Sequence, residues 1–140
     1  MSSIPDEHHI TRYCPRKHLS SQGDITGAAF LLRRESGEQN LSVNYLEFFN
    51  CPNRAIAINR VKETINLKLQ PGSKFAVMNV GNVKKRVLEE TTDKRKLEII
   101  HTPSSNDPSH SQMSNLGPDN ELIAELIVQT VIEVYSAKER

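Results

Sequence analysis

A chain of 140 residues is the size of one folded domain, and 36% hydrophobic with 25% charged residues allows a modest core, which excludes the fibrous and wholly disordered classes. Eighteen Lys and Arg stand against seventeen Asp and Glu, so there is no overall field drawing the molecule to nucleic acid or anionic lipid, and nucleic-acid binding would need a local basic patch. No run approaches the roughly 18 apolar residues of a membrane span, and MSSIPDEHHI lacks the basic and apolar parts of a signal peptide. The expected setting is the cytoplasm, away from membrane, with Cys14 and Cys51 as free thiols.

Residues 1–24 hold three of the five histidines, two prolines and the basic cluster Arg12, Arg16 and Lys17. They lack periodicity and end in the turn-like Ser20-Ser21-Gln22-Gly23-Asp24, which predicts an irregular segment laid over the surface. The apolar run AAFLLRR at 28–34, between Gly27 and Gly37, reads as a buried strand. LSVNYLEFF at 41–49 alternates like a strand at Leu41, Val43 and Tyr45 but recurs at helical spacing at Val43, Leu46 and Phe49. The pairing of Asn44 with Glu47 resembles a capping box and tips the reading to a helical turn. Pro52 suits the first position of a helix of about three turns with Ala55, Ile58, Val61 and Ile65 on one face.

Leu67 and Leu69 alternate ahead of the turn pair Pro71-Gly72, which allows a short hairpin into FAVMNV at 75–80. That run is nearly all apolar and should be a central strand, ended by Gly81 and Asn82. A short helix follows with Val83, Val87 and Leu88 on one side and Lys84, Lys85, Arg86, Glu89 and Glu90 on the other; Leu97, Ile99 and Ile100 form the next strand. Residues 102–118, with three prolines and five serines, read as a long loop. Asp119 or Asn120 then caps an amphipathic helix over 119–137, its stripe running from Leu122 and Ile123 through Leu126 and Ile127 to Val131 and Val134. The sum is a single α+β domain: a small three- or four-stranded sheet with helices packed on it.

Histidine and carboxylate chemistry concentrates in two places. His101, at a strand end, is followed by Asp107, Ser109 and His110, which supply a base, an orienting carboxylate and a hydroxyl; turn-setting Asp-Pro pairs account for the same composition. Near the start lie His8, His9, Arg12, Tyr13, Cys14 and His18. Cys14-x3-His18, with His8 or His9 and Cys51, shows only half of a paired zinc spacing, so no metal and no cofactor is expected. Asn79, Gly81 and Asn82, followed by Lys84, Lys85 and Arg86, offer helix-start amides to an anion without matching a phosphate-loop motif. Tyr45, Phe48 and Phe49 have the ring faces to stack bases, though their spacing suits core packing better.

The combination H-x-x-R-Y-C, L-S-V-N-Y-L-E, F-A-V-M-N-V-G, and H-T-P followed by D-P-S-H resembles a group of small uncharacterised bacterial proteins over most of the chain. The resemblance implies no activity and assigns no residue. Two functions fit the sequence: a non-catalytic accessory module binding a protein partner, or a small histidine-dependent hydrolase, a phosphodiesterase or ribonuclease, using His9, Arg12, His101, Asp107 and His110. Convergence of His9, Arg12, His101 and His110 on one cleft would favour the second and dispersal the first.

Overall fold

The computed structural model describes residues 2–139. In chain order the elements are β1 (Ser2–Ser3), β2 (His9–Cys14), β3 (Leu41–Tyr45), α1 (Arg54–Thr64), β4 (Lys74–Asn79), α2 (Val80–Glu90), β5 (Glu98–His101), β6 (His110–Ser114), α3 (Asn120–Val128) and β7 (Val131–Ser136). Four short 3-10 turns, Arg16–His18, Gly27–Phe30, Arg34–Ser36 and Leu46–Phe49, fill the connections. The strands form one seven-stranded sheet in the order β1-β5-β6-β3-β2-β4-β7, antiparallel throughout. The class is α+β as expected, but a sheet of three or four strands is an underestimate.

Helices cover both faces, and the pleat of β4 shows why its sequence is apolar without alternation. Phe75 and Val77 point to α1, joining Leu46, Ala57, Ile58 and Val61 in the smaller core. Ala76 and Met78 point the other way, to the larger core built by Ile10, Val43, Val83, Ile99, Met113, Ile123 and Ile127 under α2 and α3. A strand buried on both faces reads as one continuous apolar run. β4 is interior, paired with β2 on one side and β7 on the other.

Four segments depart from the sequence expectation, each for a local reason. Residues 1–24 are not an irregular overlay: β2 is an interior strand between β3 and β4, and its polar residues are satisfied within the fold, Thr11 through its hydroxyl to the Ala76 carbonyl at 2.8 Å. The AAFLLRR run is no strand. It is a 3-10 turn and extended chain whose Ala29, Phe30 and Leu32 plug the larger core beneath α3. Residues 41–45 are strand, so Asn44 caps nothing; Asn53 is the cap of α1, accepting from Ile56 N–H at 3.0 Å, and Pro52 lies just outside. The expected hairpin around Pro71-Gly72 is absent because residues 66–70 form no strand.

Three further corrections concern the second half. The loop at 102–118 contains β6, whose Ser111 and Met113 are fully buried, so two of its five serines, Ser111 and Ser114, belong to a ladder with β3 and β5. The helix over 119–137 stops at Val128. Thr130 turns its hydroxyl back to the Ile127 carbonyl at 2.6 Å, and the β-branched Val131, Ile132 and Val134 continue as β7. At the other helix start, α2 follows β4 with no loop, so Gly81 and Asn82 lie inside the helix and do not punctuate it.

Candidate functional site

The imidazoles gather at the end of the sheet where β2 begins and β3 ends. His8 lies in the bend that leads into β2 and His9 is the first residue of that strand, and their side chains turn to different partners, His8 to Tyr45 and His9 to Glu47. After Tyr45 the chain makes the 3-10 turn Leu46–Phe49, which sets Glu47 over His9, and leaves it through Asn50 in the left-handed region (φ 51°). Glu47 accepts from the His9 backbone N–H and from its Nδ1, both at 2.7 Å. A carboxylate only accepts, so the His9 proton sits on Nδ1 and Nε2 is the free lone pair of the neutral ring. This is the geometry of a base held by an orienting carboxylate.

His8 Nδ1 lies 2.5 Å from the Tyr45 hydroxyl, with the rings stacked at 5.6 Å. Burial first, then the charges of Glu47 and Glu7, push the Tyr45 phenol up, so it stays protonated and donates to His8. His101 stands edge-on to Tyr45 at 5.5 Å and tilted against the exposed Phe48 at 5.1 Å. Its Nε2 donates to the Pro108 carbonyl at 2.8 Å, leaving Nδ1 unprotonated in the neutral ring. Three histidines, Tyr45, Phe48 and Glu47 therefore share one end of the fold.

The remaining candidate residues lie elsewhere. Arg12 is half-buried and donates to the Ala29 and Ser42 carbonyls, both at 2.8 Å, pinning the 3-10 turn beneath α3 to β3. Asp107 is buried and accepts from Asn44 Nδ2 at 2.8 Å, while the same amide reaches Ser109 Oγ at 2.9 Å; burial pushes the Asp107 carboxyl up against the opposing pull of Asn44 and His110. His110 donates from Nδ1 to the Thr102 carbonyl at 3.1 Å, with the Thr102 hydroxyl 2.9 Å away, and its Nε2 lies 3.3 Å from Ser42 Oγ. Register places His101 opposite Ser111, so His110, one residue earlier, projects from the other face of the sheet. His9 and His110 share a face but sit two strands apart and two residues out of line, about 12 Å by strand geometry.

The anion candidates are engaged by the chain itself. Asn79 Oδ1 accepts from Asn82 N–H at 2.9 Å, Gly81 N–H donates to the Asp6 carbonyl at 2.9 Å, and Lys84 holds the Asp6 carboxylate at 2.8 Å. A Cβ on Gly81 would come to 3.0 Å from that carbonyl oxygen, so any larger residue there requires the turn before β2 to give by a few tenths of an ångström. Lys85 lies apart, at the far side of α2.

The cysteines are both free and lie on opposite faces, Cys14 in the larger core and Cys51 against the smaller. Burial pushes the Cys14 thiol up to about 12 despite the neighbouring Arg12, so it is a neutral packing group. Among the described residues no three His, Cys, Asp or Glu side chains are grouped to hold a metal ion. No helix is long and apolar enough to cross a membrane.

Sequence reading missed the roles of His8, Tyr45 and Glu47. The signal was present in the adjacency of His8 and His9 and in the strand alternation of LSVNY, which ends the strand on Tyr45 and leaves Glu47 to the turn that follows. Two open clefts, of about 490 and 430 Å³, are lined by none of the histidines. In comparisons with protein-family models, curated proteins and solved structures, nothing matches this chain.

Proposed function

We propose that the chain is a non-catalytic accessory module of the cytoplasm that binds a protein partner through the outer edge of β7. One observation carries this reading: β7 is six residues long and, among the described residues, pairs on one side only, with β4, while Ile132 and Val134 are 49% and 45% exposed. Sheets usually blunt such an edge by shortening, covering or charging it, because its unpaired amides and carbonyls template another strand. Two of the four groups on which a hydrolase would draw lie apart from the imidazoles at the end of the sheet: Arg12 is spent on the Ala29 and Ser42 carbonyls, and His110 projects from the face opposite His101, which favours this reading over a hydrolase.

The test is hydrolytic. Purified chain should show no turnover above background of RNA, cyclic nucleotides or aryl phosphodiesters, with or without magnesium or manganese, and His9→Gln and His101→Ala should behave as the parent does. Turnover with a bell-shaped pH profile that disappears in either variant would overturn the proposal in favour of the hydrolase.

A further inference from the structure

We infer that the partner segment is an extended acidic peptide that adds to β7 as an eighth strand; the inference rests on the partner-binding reading. Backbone geometry fixes the docking row. Ala137 N–H donates to the Ser73 carbonyl, so by the alternation of antiparallel ladders Tyr135 and Glu133 turn their backbone groups to β4, while Val134 and Ser136 turn theirs outward. A row of free donors and acceptors beside exposed apolar side chains fits a strand and little else.

Charge then selects the kind of strand, because the two clefts lie at the two ends of β7. At the Ser136 end the 490 Å³ cleft holds Arg16, Lys74 and Lys138 against Glu139. At the Ile132 end the 430 Å³ cleft holds Lys85 and Arg86 against Glu89. Among the described residues Arg16, Lys85, Arg86 and Lys138 make no ion pair; the pairs formed are His9 with Glu47, Arg33 with Glu38, Arg54 with Glu133, Lys84 with Asp6, and Arg95 with Asp93 and Asp119. From Ile132 to Ser136 is four steps of strand, about 13 Å, so a peptide of about nine residues reaches both clefts with its ends.

The same charges argue against a second copy as occupant. Two β7 strands paired antiparallel about a twofold would bring the Arg16 and Lys138 end of one copy to the Lys85 and Arg86 end of the other, cation against cation. An apolar strand with carboxylates at both ends meets neither objection.

The probe is a fluorescein-labelled DDVTVTVDD peptide, followed by anisotropy and by ¹H–¹⁵N spectra of the full chain, with KKVTVTVKK, DDGSGSGDD and a ten-nucleotide single-stranded RNA as comparisons. The acidic strand peptide should bind, slow hydrogen exchange at the Val134 and Ser136 amides, and outcompete the other three. Val134→Pro removes a donor that faces solvent, so the ladder with β4 survives while strand addition fails. Lys85→Glu with Arg86→Glu, and Arg16→Glu with Lys138→Glu, should each weaken binding about tenfold, and these carry the test should the proline variant not fold. Arg60→Glu, on exposed α1 surface, should change nothing.

Equal binding of the basic strand peptide would overturn the acidic assignment and leave the partner-binding reading standing. Tighter binding of RNA, or a dimer dissociated by Val134→Pro, would overturn the inference in favour of those occupants. Unmoved Val134 and Ser136 amides with every probe would overturn strand addition itself, and histidine-dependent turnover in the preceding assay would overturn the reading beneath it.

Discussion

At one edge of the sheet two serines, Ser2 and Ser3, pair with His101 and Ile100; at the other, β7 runs for six residues with Ile132 and Val134 in the open. Among the described residues the first edge is formed by Ser2 and Ser3, whose side chains offer nothing apolar to a second strand. The second is neither short nor covered, and its cations sit beyond its ends, where they leave the middle free. Edge protection in this fold is therefore selective.

The largest effect that would break this contrast is at Val77, fully buried between β4 and α1 on the strand that holds β7 in place. Val77→Asp places an unpaired charge there and should cost about 4 kcal/mol or more, unfolding the domain in a urea titration. An unchanged midpoint would mean that β4 does not anchor the β7 edge.

A proline pair sharpens the contrast within β7. Glu133→Pro removes an N–H directed at β4, and the ion pair with Arg54, and should cost about 3 kcal/mol. Val134→Pro removes an outward N–H and should cost less than about 1 kcal/mol, since no ladder bond is lost. Equal destabilisation of the two in the same titration would show that both faces of the β7 backbone are already paired.

The smallest effect belongs to the half of the sheet near β1. Burial raises the Asp107 carboxyl, so the folded chain holds that proton more tightly than the unfolded chain does. Its contribution to stability is complete below the ordinary carboxylate pKa and is lost as pH rises through the raised value. Asp107→Asn keeps an acceptor for Asn44 and does not ionise, so the variant should overtake the parent in melting temperature as pH climbs from roughly 4 to neutrality. Glu38 and Asp119, lowered by Arg33 and Arg95, act in the opposite sense in both proteins and cancel in the difference.

How much of this was legible in the sequence varied with how each strand is buried. β4 was readable because both of its faces are covered, which forces a continuous apolar run. β2 was not, because Thr11 and Arg12 satisfy their polar groups on carbonyls inside the fold, and HITRYC then has the composition of a loop. β7 was hidden by coincidence of period: Val131 and Val134 continue the stripe of α3 at a spacing of three, and only the clustering of β-branched residues after Thr130 betrays a strand. For the candidate site, the sequence nominates His9 and His101 without placing them; the structure sets both near Tyr45 and the turn that follows it. Glu47 reaches His9 because the strand gives way to a 3-10 turn directly after Tyr45, a break that the alternation of LSVNY does not announce.

The position of β2 has a kinetic consequence. It is the seam of the sheet: β5, β6 and β3 lie on one side of it, β4 and β7 on the other, and no ladder joins those halves except through β2. Thr11 meets Ala76 across 65 positions of chain, whereas β5 and β6 are near neighbours. The β5–β6 hairpin can form on a timescale of about 1–10 μs, but closure of the seam waits on a long loop, which places the overall folding time in the range of about milliseconds to seconds. Until the seam closes, the apolar FAVMN strand has one side open to any other chain, so the interval in which this protein is most prone to aggregate is set by the arrival of its amino-terminal strand.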